Sequence, residues 1–198
     1  MTTRASVLRH FAEHAAVVER VSTELLDPIS ELSELVLNTV RAGGTLLFCG
    51  NGGSAADAQH LAAEYVVRFA RERRPIAAIA LTTDTSLLTA AANDHGYDTI
   101  FERQIMALGR AGDLLVLHST SGESENLMRA AISARAKGIA TVALLAKGGG
   151  RLRAEVDLAL VIPTDSTARA QEVHLTIGHI VCDLVEAAIV GSNPETTT

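Results

Sequence analysis

Five short apolar runs, each set between helical stretches, decide what this chain can fold into. Thr45–Cys49, Ile76–Leu81, Asp113–His118, Ala140–Leu145 and Leu158–Ile162 are apolar and strand-length. Helical spacing fills the gaps at Ser54–Phe69, Leu87–Ala92, Asp98–Leu108 and about Glu123 to Lys137, and a long helix follows from about Ala168 to Val190. Strands alternating with helices, and apolar on both faces, belong to parallel sheets covered on both sides. The expected fold is therefore α/β: a three-layer sandwich around a five-stranded parallel sheet, with extra helices ahead of it. In those, Leu8, Phe11, Ala15, Val18, Val21 and Leu25 recur at helical spacing. Asp27-Pro28 reads as an N-cap and first residue of a second helix carrying Ile29, Leu32, Val36 and Val40, which Gly43-Gly44 ends. No linker or repeat interrupts the pattern. A single domain is expected over 1–198, with N-terminal helices at 1–42, the α/β core at 43–191 and a frayed tail at 192–198.

Composition closes off other classes. A chain of 198 residues suits one domain, and 47% hydrophobic against 20% charged residues excludes disorder over most of it. Runs such as Ile76–Leu81 and Ala140–Ala146 fall far short of the ~20 residues that span a bilayer. The N-terminus has no apolar signal region. A soluble, cytoplasmic protein with no membrane partner is expected. Net charge −6, no Trp and 3% aromatics leave little for a nucleic acid to bind. Cys49 and Cys182 lie in apolar segments and read as reduced, buried thiols.

In a parallel α/β sheet the ligand lies beyond the carboxyl ends of the strands. Two of those ends are unusual here. Gly50-Asn51-Gly52-Gly53-Ser54 joins a strand to a helix, and its glycines let backbone N–H groups approach an anion or a sugar. It matches neither a Walker A loop nor GxGxxG, and a plain tight turn with Ser54 as cap fits it equally. Ser119-Thr120-Ser121-Gly122-Glu123-Ser124 places four hydroxyls at a helix start, a phosphate cradle that needs no lysine. Thr120 and Glu123 have capping-box spacing, which would use one hydroxyl and leave three.

A third group is spread over two helices. His60 and Glu64 are four apart and share a helix face; Gln171 and His179 lie on the last helix. Two histidines and a carboxylate can hold zinc or another divalent ion. A surface Glu–His pair is the plainer reading. Asn93-Asp94 reads as ordinary turn chemistry after a helix. Arg71-Glu72-Arg73-Arg74 reads as a solvated loop, and Arg68 as either an anion contact or an ion pair with Glu64.

Together the segments GGTLLFCGNGGSAADAQHLAAE, AANDHGYDTIF, GDLLVLHSTSGESENLMRA and AQEVHLTIGHIVCDLVE resemble a sugar isomerase (SIS) domain. More narrowly, they resemble the bacterial phosphoheptose isomerase family. The resemblance spans nearly all of the chain beyond the first helix. It implies a homotetramer built partly by the N-terminal helices, with sites shared between subunits, and a sugar phosphate as substrate. The implied substrate contacts are Asn51, Gly52, Gly53, Asn93, Asp94, Ser119, Thr120, Ser121, Ser124 and Gln171, with Glu64 and Arg68 beside them. The implied zinc ligands are His60, Glu64, Gln171 and His179, one ion per subunit, and the implied acid/base groups are Glu64 and His179. Sedoheptulose 7-phosphate would become D-glycero-D-manno-heptose 7-phosphate through an enediol. A non-catalytic SIS relative that binds the replication initiator also resembles this chain around ALTTDTSLLTAAAND; Glu64 and His179 separate the two readings. Two departures stand out. The isomerases read Glu-Leu-Thr-Gly-Arg where this chain has Glu64-Tyr65-Val66-Val67-Arg68, and Asn where it has Glu123.

Overall fold

The computed structural model describes residues 2–191, so the tail expected to fray at 192–198 lies outside the described residues. Two helices lead, α1 (Thr3–Glu24) and α2 (Leu26–Arg41). Then come β1 (Leu46–Gly50), α3 (Gly53–Val66), β2 (Ala78–Ala80), α4 (Thr85–His95), α5 (Ile100–Leu108), β3 (Leu114–Ser119), α6 (Glu125–Ala136), β4 (Ala140–Leu145), β5 (Leu158–Val161) and α7 (Thr167–Gly191). The five strands form one sheet in the order β2-β1-β3-β4-β5, and every pairing is parallel.

Period-two alternation sorts the core into two layers. Leu46, Phe48, Leu114, Val116, Val142 and Leu144 pack on one face with α2, α3 and α7. Leu47, Cys49, Leu115, Leu117, Ala143 and Leu145 pack on the other with α4, α5 and α6. This is the expected three-layer sandwich, with α1 laid over α2 and α7. α7 is long and apolar enough to cross a membrane, but here its apolar face is core: Val173, Ile177, Val181 and Val185 are buried. Cys49 and Cys182 are free and buried as expected. Burial pushes both thiols up, Cys182 to about 12, where it stays protonated.

Two local expectations are corrected. The second helix is capped at Leu25, not Asp27, so Pro28 falls inside its first turn. The first-turn N–H groups have no partner within the helix, so a proline there costs no hydrogen bond. The run 71–74 is solvated only in part: Glu72 and Arg74 are exposed, but Arg73 is buried and pairs at 3.0 Å with Glu186, which is also buried, and Arg71 pairs with Asp183.

Candidate active site

The chain leaves β1 toward β2 on one side and β3 toward β4 on the other. That divergence opens a crevice at the carboxyl ends of β1 and β3. Both unusual loops flank it. In the first, Asn51 is fixed from two directions: it and the buried Asn126 exchange amide hydrogen bonds of 2.9 Å each way, and the Tyr97 hydroxyl donates to Asn51 Oδ1 at 3.1 Å. Gly52 precedes α3, and Gly53 begins it against the side chain of Gln171. A Cβ on Gly53 would lie 2.5 Å from Gln171 Nε2, so only glycine lets that amide sit there.

In the second loop, Ser119 Oγ accepts the Gly122 N–H at 3.0 Å and Ser121 Oγ accepts the Glu123 N–H at 3.3 Å. The Thr120 and Ser124 hydroxyls make no hydrogen bond among the described residues, and Ser124 precedes α6 without a side-chain cap. The expected Thr120–Glu123 capping box does not form. Glu123 turns instead to Arg151, accepting its backbone N–H at 3.1 Å and its Nε–H at 2.9 Å. Those bonds hold the Glu123 carboxyl below its usual range. The extra carboxylate is thereby engaged, and the loop keeps open hydroxyls at a positive helix end.

In the third group, His60 on α3 meets Glu64 and, across the helices, His179 on α7, while Gln171 lies against Gly53. His60 Nε2 lies 2.9 Å from His179 Nε2 and 3.4 Å from Glu64 Oε1. The two helices come this close because residue 178 is glycine; a Cβ there would lie 2.5 Å from Leu61 Cδ2. The Phe69 ring rests on His179 with centroids 5.2 Å apart. Burial lowers the His179 pKa, with His60 adding to the effect and Glu64 opposing it. A neutral His179 can accept a proton or ligate a metal. Two facing imidazole nitrogens with a carboxylate oxygen beside them are a donor set that fits zinc.

A family model described as SIS domain matches residues 9–146. The phosphoheptose isomerase of Roseiflexus sp. (strain RS-1) is 53% identical over 173 residues, 87% of this chain and 88% of that protein. That of Geobacter sulfurreducens is 53% identical over 170 residues, 86% and 90% of the two chains. The solved structure of phosphoheptose isomerase GmhA from Neisseria gonorrhoeae superposes with a TM-score of 0.89 at 42% identity, covering 94% of this chain and all of that one. This chain is a member of the SIS-domain phosphoheptose isomerase family.

Within this phosphoheptose isomerase frame, two predicted regions pair with near neighbours in the chain. Asn93 and Asp94 are exposed in the last turn of α4, not in a turn after it, and the Asn93 amide donates to Asp94 Oδ1 at 2.8 Å. Arg68 lies past the end of α3 and approaches Glu72 at 3.9 Å, not Glu64. Sequence reading missed the supports of the site. Glu186 accepts the N–H groups of Phe69, Ala70 and Arg71 at 2.6, 2.8 and 2.9 Å. Burial alone would push that carboxyl up; the three N–H bonds and Arg73 outweigh it and hold it below its usual range. Glu186 thus anchors the segment that carries Phe69 to His179. Asn126 and Tyr97, which fix Asn51, were missed as well.

Proposed function

We propose that this phosphoheptose isomerase family member interconverts sedoheptulose 7-phosphate and D-glycero-D-manno-heptose 7-phosphate through an enediol. The observation that carries the reading is the setting of His60 Nε2, 2.9 Å from His179 Nε2 and 3.4 Å from Glu64 Oε1. The phosphate binds in the 119–124 loop, where Thr120, Ser124 and the first N–H groups of α6 stand ready for it. Asn51, Gly52, Gly53 and Gln171 line the sugar, with Asn93, Asp94 and Arg68 closing around it. Glu64 removes the proton beside the carbonyl, and His179 moves a proton at the sugar oxygens.

His60, Glu64, Gln171 and His179 would hold one zinc ion per subunit, which when bound polarises the substrate carbonyl. Leu8 and Phe11 are 60% and 71% exposed on α1, which supports a homotetramer assembled through the N-terminal helices with sites shared between subunits. Residues 1–42 as assembly helices and 43–191 as catalytic core form one domain in this reading. A cytoplasmic location accords with the sugar-phosphate substrate.

Proton NMR of sedoheptulose 7-phosphate with the full chain in D₂O, with and without zinc, tests the reading. New aldoheptose signals, or deuterium entering at C1 or C2, are expected. No exchange from a folded, zinc-supplied protein would overturn it in favour of a non-catalytic phosphosugar-binding or initiator-binding adaptor.

A further inference from the structure

Beneath the candidate site lies a second set of donors that the proposed reaction does not use. Asp57 on α3, His118 on β3 and His174 on α7 each offer one ligand atom, and these atoms all lie within 4.8 Å of one another. Strand alternation places His118 on the same face as Leu114 and Val116, toward α3 and α7. Both imidazoles are fully buried, and Asp57 is half-buried.

Most of the polar atoms gathered there have no hydrogen-bond partner among the described residues. Asp57 Oδ2, both ring nitrogens of His118 and Nδ1 of His174 are buried without a hydrogen bond. His174 Nε2 lies 3.1 Å from the Leu145 carbonyl oxygen. A carbonyl only accepts, so neutral His174 carries its proton on Nε2 and leaves a bare lone pair on Nδ1. A metal-bound histidine has this arrangement, with the far N–H held by a backbone carbonyl and the near lone pair aimed at the ion.

We propose that Asp57, His118 and His174 bind a divalent transition-metal ion of the zinc class, at a buried site separate from the His60–Glu64–Gln171–His179 group. The donors are mostly lone pairs, and lone pairs cannot satisfy one another. Two imidazole nitrogens and one carboxylate oxygen suit zinc-class ions, and they supply too few oxygens for calcium or magnesium. Burial also keeps both imidazoles neutral, His118 down to about 3 and His174 down to about 4, so neither must shed a proton first. The Asp57 carboxylate supplies the compensating charge and is the side from which solvent reaches the cluster. Asp57 is one helical turn from His60, His174 one turn from Gln171, and His118 directly precedes Ser119. An ion here ties together the three elements that carry the candidate active site.

The test counts metal and does not depend on turnover, so it stands apart from the isomerase reading. The full chain is stripped with chelator, dialysed against Zn²⁺ and assayed by mass spectrometry of the metal, with Co²⁺ absorption as a second readout. Wild type is expected to hold two ions per subunit. His60→Ala/His179→Ala is expected to hold one, His118→Leu one, and the triple variant none. Asp57→Asn, which keeps side-chain volume, is expected to weaken Co²⁺ binding at the buried site with an unchanged circular dichroism spectrum. Wild type holding a single ion that His60→Ala/His179→Ala abolishes and His118→Leu leaves intact would overturn the proposal. The cluster would then hold an ordered water, which can accept from one His118 N–H and donate to His174 and Asp57.

Discussion

His60 and His179, 119 positions apart in the chain, face each other with their Nε2 atoms 2.9 Å apart. Two ring nitrogens this close must share a proton or a cation. Two neutral imidazoles satisfy this contact when one donates its Nε2–H to the other, and two bare lone pairs satisfy it only with an ion between them. The contact therefore marks where protons or an ion enter the proposed chemistry.

Glu64→Gln and His179→Gln are each expected to lower kcat by about 10²–10⁴-fold, the usual worth of a positioned acid or base. Size-exclusion chromatography should show the assembly unchanged. Near-wild-type turnover in either variant would remove that residue from the proton-transfer roles.

Gly53→Ala pushes a methyl group into Gln171, whose Nε2 would lie 2.5 Å from the added Cβ. Gln171 meets it with the far end of a flexible side chain, so the fold should survive while the amide moves. Zinc affinity at the active-site group should fall about 10–100-fold, as when a metal site loses its supporting contacts. Isothermal titration with Zn²⁺ against the His118→Leu background isolates that site; an unchanged affinity would separate Gln171 from the metal.

Glu186→Gln breaks a buried ion pair with Arg73 and weakens three backbone anchors. Removing one partner of such a pair costs about 3–5 kcal/mol. Urea denaturation should show that loss, and NMR of His179 should show the Phe69 ring shift altered, since the anchored segment carries that ring. A loss below about 1 kcal/mol, the scale of an ordinary exposed pair, would mean that the segment is held by other contacts.

The metal-free protein should lose stability in acid from two histidines. Unfolded imidazoles protonate near 6.5, whereas folded His118 and His174 resist until about 3 and about 4. Between those values the unfolded chain binds more protons, so stability falls as pH drops from 6.5 and the loss tapers off below about 3. Each group contributes a slope of up to about 1.4 kcal/mol per pH unit. His118→Leu should flatten the stability profile over that window; an identical slope would place the acid sensitivity elsewhere.

Phe11→Glu charges an exposed aromatic on α1, 71% accessible in the single chain. Analytical ultracentrifugation should show smaller species than wild type if that helix builds the assembly. An unchanged sedimentation coefficient would move the interface off α1.

The sheet and its two loops were legible because strand-length apolar runs and glycine breaks are local signals. The five strands fell within a residue or two of the expected places, and the loops at 50–54 and 119–124 landed at the crevice. What sequence could not give is pairing at a distance. The 71–74 run looked solvated because its partners Asp183 and Glu186 lie on the last helix. The Thr120–Glu123 spacing looked like a capping box because Arg151, which takes Glu123, comes from a turn much later in the chain. His118 looked like any strand residue until α3 and α7 brought Asp57 and His174 to it.

α7 is the last described element to leave the ribosome, and it brings Gln171, His174, His179 and Glu186 together. A nascent chain that has emerged only as far as β5 already carries both ligand loops, yet it has half of each histidine pairing and no anchor for the segment bearing Phe69. In the proposed reading, a chain cut short before residue 167 keeps His60 and Glu64 but lacks Gln171 and His179, and is expected to be inactive.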